Sequence, residues 1–99
     1  PQAVSLFKTH RRDLAVIVDE GVPAQALLDA LDAVRPAHVE RIEVFDVYRG
    51  PGIGPGKKSL AILVLMQDTA RTLTDAEIDL TAGGLLRELE NRFKATLRQ

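Results

Sequence analysis

Apolar residues alternate with polar or small ones in some stretches of this chain and recur every three to four positions in others, which separates strands from helices. Leu14 to Val18 is a short run rich in β-branched residues, and Gly21-Val22-Pro23 breaks it. Pro23 suits the first turn of a helix, where its missing N–H costs nothing. Leu27, Leu28, Leu31 and Val34 then repeat at helical spacing. Arg35-Pro36 stops that helix, because a residue before proline avoids helical backbone angles. Val39 to Tyr48 reads as a second strand, and Gly50 to Gly56, built of glycine and proline around Ile53, as loop. Lys58 to Gln67 is a third strand, apolar almost throughout and therefore expected at the centre of a sheet. Thr74-Asp75-Ala76-Glu77 is a capping box, in which the threonine hydroxyl accepts from the third helical N–H and the glutamate reaches back. Ile78, Ala82, Leu85, Leu89 and Phe93 follow as one core-facing stripe. Gly83-Gly84 interrupts this second helix at roughly 1 kcal/mol each relative to alanine. Close backbone approach to the sheet or to the other helix is the expected reason. Ala95 to Arg98 forms a short last strand.

The order is therefore β-α-β-β-α-β, the split βαβ arrangement. Right-handed crossovers turn it into an α+β, ferredoxin-like sandwich: one four-stranded antiparallel sheet with two helices on one face. The other face is open. Leu14, Val16 and Val18 point to the helices, which leaves Ala15 on the open side. Leu60, Ile62, Val64 and Met66 point the same way and leave Ser59 and Ala61 outside, with Leu63 and Leu65 further along. Leu97 packs inward, so Arg98 faces out. On the second strand Ile42 and Val44 point inward, and strict alternation carries Asp46 and Tyr48 into the core with them. A bare buried carboxylate is too costly for that. A bulge or strand end near Phe45–Asp46 is predicted, re-aiming Asp46 outward.

Ninety-nine residues make one core, and residues 1–99 are read as a single domain. A start at Pro1 without methionine implies a fragment of something longer. The longest apolar run, Leu60 to Met66, falls far short of the roughly 20 residues a spanning helix needs. No leader peptide is visible, and cysteine is absent. A cytoplasmic home fits, with no membrane or DNA partner. Net charge is −1, which argues against gripping nucleic acid by field strength alone. Cations do cluster: Lys8, Arg11 and Arg12 before the first strand, Arg49, Lys57 and Lys58 around the loop, and Arg92, Lys94 and Arg98 at the end. Solvated faces and strand-end gatekeepers explain such clusters equally well.

Catalytic readings fail one by one. Gly56-Lys57-Lys58-Ser59 imitates part of a phosphate-binding loop, but the glycine spacing is wrong and a strand follows where a helix is needed. His10 and His38 lack ligand-spaced partners and read as surface residues. Asp19-Glu20 has no second acidic cluster to make a metal site. No nucleophile, base and orienting group come together. The open face instead carries Ala15, Asp46, Ser59 and Arg98, with Tyr48 or Phe45 close by. A carboxylate accepts from a guanine edge, a hydroxyl donates or accepts, arginine holds phosphate or stacks, and alanine leaves room for a base. Duller readings stand beside these: Asp46 capping the loop or pairing with Arg49, Ser59 satisfying a strand-edge backbone group, Arg98 as a solvated terminal charge, and Tyr48 as packing.

Five blocks in register, Arg12-Asp13-Leu14-Ala15, Phe45-Asp46-Val47-Tyr48-Arg49-Gly50, Lys57-Lys58-Ser59-Leu60, Arg71-Thr72-Leu73-Thr74-Asp75 and Leu97-Arg98, give the chain a family likeness. From about Phe7 to Arg98 it resembles the ferredoxin-fold anticodon-binding domain that closes the β subunit of bacterial phenylalanyl-tRNA synthetases. The resemblance implies RNA contacts at Ala15, Asp46, Ser59 and Arg98; Tyr48 on the same face is read as a further contact, and Arg49, Lys57 and Lys58 beside the loop as sequence-blind phosphate contacts. It implies a non-catalytic domain without cofactor or metal that holds the tRNA(Phe) anticodon stem-loop. The parent ligase, by the same resemblance, uses ATP and Mg2+ and assembles with an α subunit as α2β2. Two rivals share the topology. An ACT-like module takes small-molecule effectors at strand–helix turns, for which Gly21-Val22-Pro23 is conceivable. A general RNA-recognition motif needs aromatics on the two central strands, where this chain has Ala15 and Ala61.

Overall fold

The structure, a computed structural model, describes residues 8–98. Six elements follow in the expected order: β1 (Thr9–Asp19), α1 (Ala24–Val34), β2 (Val39–Tyr48), β3 (Lys57–Gln67), α2 (Asp75–Phe93) and β4 (Thr96–Leu97). The strands form one antiparallel sheet in the order β2-β3-β1-β4. This is the ferredoxin-like arrangement, with β3 and β1 central and both helices on one face. Val16, Val18, Leu60, Ile62, Val64 and Met66 meet Leu27, Leu31, Ile78, Leu85 and Leu89 in a single core.

β1 runs five residues further toward the N-terminus than its apolar stretch indicates. Thr9 pairs with Gln67, and the ladder continues without a break to Asp19 opposite Lys57. The polar half is tolerated because each helix-side position there finds a partner. Arg12 donates to Asp79 on α2 at 2.6 Å, and the ring of His10 lies 2.7 Å from Asp68 Oδ1. His38 meets the Thr81 hydroxyl at 2.8 Å. Both histidines are thus half-buried and partnered, and the expectation of free surface residues is corrected.

The entry to α2 is built as its sequence demands. Thr74 Oγ1 accepts from Glu77 N at 3.1 Å, and Glu77 Oε1 accepts from Thr74 N at 2.9 Å. Asp68 reinforces the approach by accepting from the Leu73 amide at 3.0 Å. α1 begins after Pro23 without a side-chain cap and ends at Arg35, whose extended backbone precedes Pro36. Gly83-Gly84 is not explained by close approach. A methyl group added to Gly84 meets nothing within 4 Å, and one on Gly83 meets only the flexible end of Arg87. The Gly50–Gly56 loop is anchored, with Ile53 buried at its tip and Gly56 O accepting from Glu20 N at 2.9 Å.

Candidate nucleic-acid interface

The irregularity in β2 decides what the open face displays. Val44 pairs with Ile62 and Asp46 with Ala61, so Phe45 is an extra residue on β2 and the register shifts there. The expected bulge lies at that point. After it, the parity of the strand is reversed: Asp46 shares the face of Ala61, while Val47, opposite the fully buried Leu60, takes the helix side. A second shift between Val39 and Arg41 was not foreseen from the alternation.

Residues directly opposite one another on antiparallel strands share a face. Asp46 therefore lines up with Ala61 on β3 and Ala15 on β1. Arg98 extends the line, because its amide donates to Ala15 O at 2.8 Å. The adjacent line holds Tyr48, Ser59, Ile17 and Thr96. Ala15, Asp46, Tyr48, Ser59 and Arg98 thus occupy two neighbouring lines of one face. Thr96, Ile17 and Ala61 belong to the same surface; the period of two that assigned Ser59 also marks them.

Tyr48 and Arg98 meet. The guanidinium lies over the tyrosine ring, 4.5 Å from its centroid. β2 and β4 are opposite edges of the sheet, about 14 Å apart at the usual strand spacing. Two side chains from those edges can touch only above the strands between them, where Ala15 and Ala61 keep the surface low. The Tyr48 hydroxyl donates to Pro51 O at 2.8 Å, which fixes the ring. Gly50 beneath it has φ 149°, and a Cβ there would stand 2.9 Å from the tyrosine oxygen. Both reasons require glycine. Ser59, opposite Tyr48, is only 3% exposed, less than its open-side position indicates. Asp46 is exposed and makes no ion pair or side-chain hydrogen bond among the described residues.

The cations around the loop are engaged. Arg49 donates to both carboxylate oxygens of Glu20, at 2.6 and 2.9 Å, and not to Asp46. Lys57 donates to Asp19 at 2.5 Å. Lys58 pairs in register with Val18, hence on the helix side, and is 7% exposed with its ammonium 4.0 Å from Glu20. These contacts hold the Asp19 carboxyl below its ordinary value, chiefly through Lys57, and Glu20 likewise through Arg49. Asp19-Glu20 is therefore a clamp that ties both ends of the loop to the end of β1. Leu97 shares the face of Val16 but lies at the sheet edge, 42% exposed, so it packs inward only in part.

Among the described residues, cavities lie on the helix side, away from these groups. One, of about 310 Å³, is lined by Val34, Pro36, Leu80, Thr81, Gly84, Leu85 and Glu88. Another is lined by residues of α1 with Arg35 after it and Ile42. Neither includes Gly21, Val22 or Pro23. Among the described residues no helix is long and apolar enough to cross a membrane.

The class is that of the ferredoxin-like sheets, with one face left open and polar and aromatic groups set on it. Comparison with known families makes the class specific. The chain belongs to the ferredoxin-fold anticodon binding domain family, whose description matches residues 5–98. It is 46% identical over 100 residues to the phenylalanine–tRNA ligase beta subunit of Nitrosospira multiformis, covering 99% of this chain and 13% of that protein. The beta subunit of Thiobacillus denitrificans is 50% identical over 95 residues, 96% of this chain and 12% of the relative. That of Shewanella oneidensis is 46% identical over 97 residues, with 98% and 12% covered. The chain thus spans about an eighth of the length of these relatives. The family match goes to the anticodon-binding reading of this topology and not to the effector-binding one.

Proposed function

We propose that this domain holds the anticodon stem-loop of tRNA(Phe) against its open sheet face, as one module of a phenylalanine–tRNA ligase beta subunit. The observation that carries the reading is the line Asp46, Ala61 and Ala15 across β2, β3 and β1, continued by Arg98 just past β4, with Tyr48 beneath the arginine. Asp46, exposed and uncommitted, accepts from the Watson–Crick edge of an unpaired base. Ala15 and Ala61 give that base a shallow bed, and the Tyr48 ring and Arg98 guanidinium offer planes for stacking. Ser59 supplies a hydroxyl that a base reaches once a covering side chain has moved. Arg49 and Lys57 attract the phosphate backbone by exchanging partners, since exposed ion pairs are weak. Lys58, on the other side of the sheet, contributes only through the field it adds near Glu20.

The parent enzyme, under this proposal, activates phenylalanine with ATP and Mg2+ and transfers it to tRNA in the cytoplasm. That chemistry sits in an α subunit partnered as α2β2, and the present domain selects the tRNA. Asp46→Ala and Ser59→Ala in the full ligase are expected to raise KM for tRNA and leave phenylalanine activation intact. A lost base contact costs roughly 1–3 kcal/mol, with base-edge readout in DNA as the guide. Loss of adenylate formation with unchanged tRNA affinity would refute the role.

A further inference from the structure

Phe45 is left unused by that reading, yet it is 51% exposed in the middle of a strand. Strict alternation after inward Val44 already turns Phe45 outward, and the bulge adds Asp46 beside it on the open side. Its ring is partnered. The Arg11 guanidinium lies over it, 5.4 Å from the centroid. Arg11 is opposite Leu65, between the buried Val64 and Met66, so the arginine and the ring beneath it lie on the open side. Asp13 holds that guanidinium in place, accepting from Nε at 2.9 Å and from Nη2 at 3.3 Å.

The arrangement repeats the one at Tyr48. In each, β2 supplies an aromatic ring and the sheet beyond β3 supplies an arginine, Arg11 from β1 and Arg98 from the residue after β4. Asp46 lies between the two pairs. At about 3.3 Å per residue, Phe45 and Tyr48 stand roughly 10 Å apart along β2, so bases on the two need not overlap. The Asp13 carboxylate neutralises Arg11, which suits stacking on a base better than attraction of phosphate.

We infer that the open face carries two stacking stations for unpaired RNA bases, the second formed by Phe45 and Arg11. This rests on the anticodon-binding reading and extends it along β2. Single-stranded RNA is favoured as the occupant because both stations present flat π surfaces on one continuous face, the geometry of sequence-tolerant base stacking.

The test uses the full-length ligase and anticodon stem-loops carrying a fluorescent adenine analogue at one loop position at a time, whose emission is quenched on stacking. Two loop positions are expected to be quenched on binding. Phe45→Leu should release one of them and weaken binding about 5- to 140-fold, the worth of one stacked base. Phe45→Trp should retain both quenching and affinity. Tyr48→Leu should release the other position. If Phe45→Leu changes neither quenching nor affinity while Tyr48→Leu does, the second station is wrong and the anticodon reading stands. If neither variant has an effect, both fall. Should Phe45→Leu lower the unfolding temperature, Arg11→Gln on the exposed surface carries the test and must release the same position. Affinity lost from Phe45→Leu with no change in emission assigns the ring to a protein contact and overturns the inference.

Discussion

Glu77 is a single carboxylate that closes a helix end and senses pH. It accepts from Arg71 Nη1 at 2.8 Å and from the Thr74 amide at 2.9 Å. Arg71 first, then the amide, hold its pKa down at about 2, against an ordinary value of 4.5. A carboxyl whose pKa is lower in the folded than in the unfolded chain stabilises the fold above the ordinary value, and that stabilisation is lost as pH falls toward the lowered one. Denaturant unfolding followed between pH 4.5 and pH 2 should therefore show a shallower loss of stability in Glu77→Gln than in the wild type. Equal slopes would mean that Arg71 and the cap contribute nothing in that window. Asp68 adds to the same trend, its carboxyl lowered by the Leu73 amide and then by His10. At this scale the sequence was informative wherever one period of two ran unbroken. The parity that placed Ser59 and Ala61 outside also places Lys58 on the helix side, although its charge had led it to be grouped with the loop cations. The Arg98–Tyr48 and Arg11–Phe45 contacts were not legible, because they join residues from strands that are not neighbours in the sheet.

The bulge in β2 was legible for a different reason, namely a conflict between two rules. Alternation sent Asp46 inward, burial of a free carboxylate forbade it, and an extra residue resolves the conflict. The early half of β1 offered no such conflict, since its helix-side His10 and Arg12 are polar and only their distant partners Asp68 and Asp79 make them strand residues. β4 is short, Thr96–Leu97, and follows closely on α2, which is capped by Lys94 in the left-handed region with φ 56°. Its amide donates to Glu90 O at 3.0 Å, and the Ala95 amide to Leu89 O at 3.4 Å, closing the last turn. Glycine usually takes this position, and a side chain there costs about 1 kcal/mol. Lys94→Ala and Lys94→Gly remove the same charge, so their difference isolates the backbone conformation. The glycine variant should be more stable than the alanine variant by about 0.5–1 kcal/mol in urea unfolding. An alanine variant as stable as the glycine one would show that the turn relaxes to ordinary angles.

Across the whole molecule, under the anticodon-binding proposal, the arrangement of charge keeps the open face from acting as a general magnet for RNA. The net charge is −1, and the cations nearest the loop are tied to Asp19 and Glu20. An uncommitted Arg49 and Lys57 would attract any polyanion, whereas paired ones yield only when base contacts hold the RNA long enough for partners to exchange. Under that proposal the clamp trades affinity for selectivity. Glu20→Gln should disrupt it by freeing Arg49, whose guanidinium Glu20 alone holds among the described ion pairs. Binding of the full ligase to a stem-loop with a scrambled anticodon should then tighten. The plot of log affinity against log salt should steepen by about 0.7, the value expected for one further single-strand phosphate contact. The cognate stem-loop should gain less in relative terms, so discrimination between the two falls. An unchanged salt slope would place Arg49 beyond reach of the RNA backbone, and the clamp would then serve only to hold the loop.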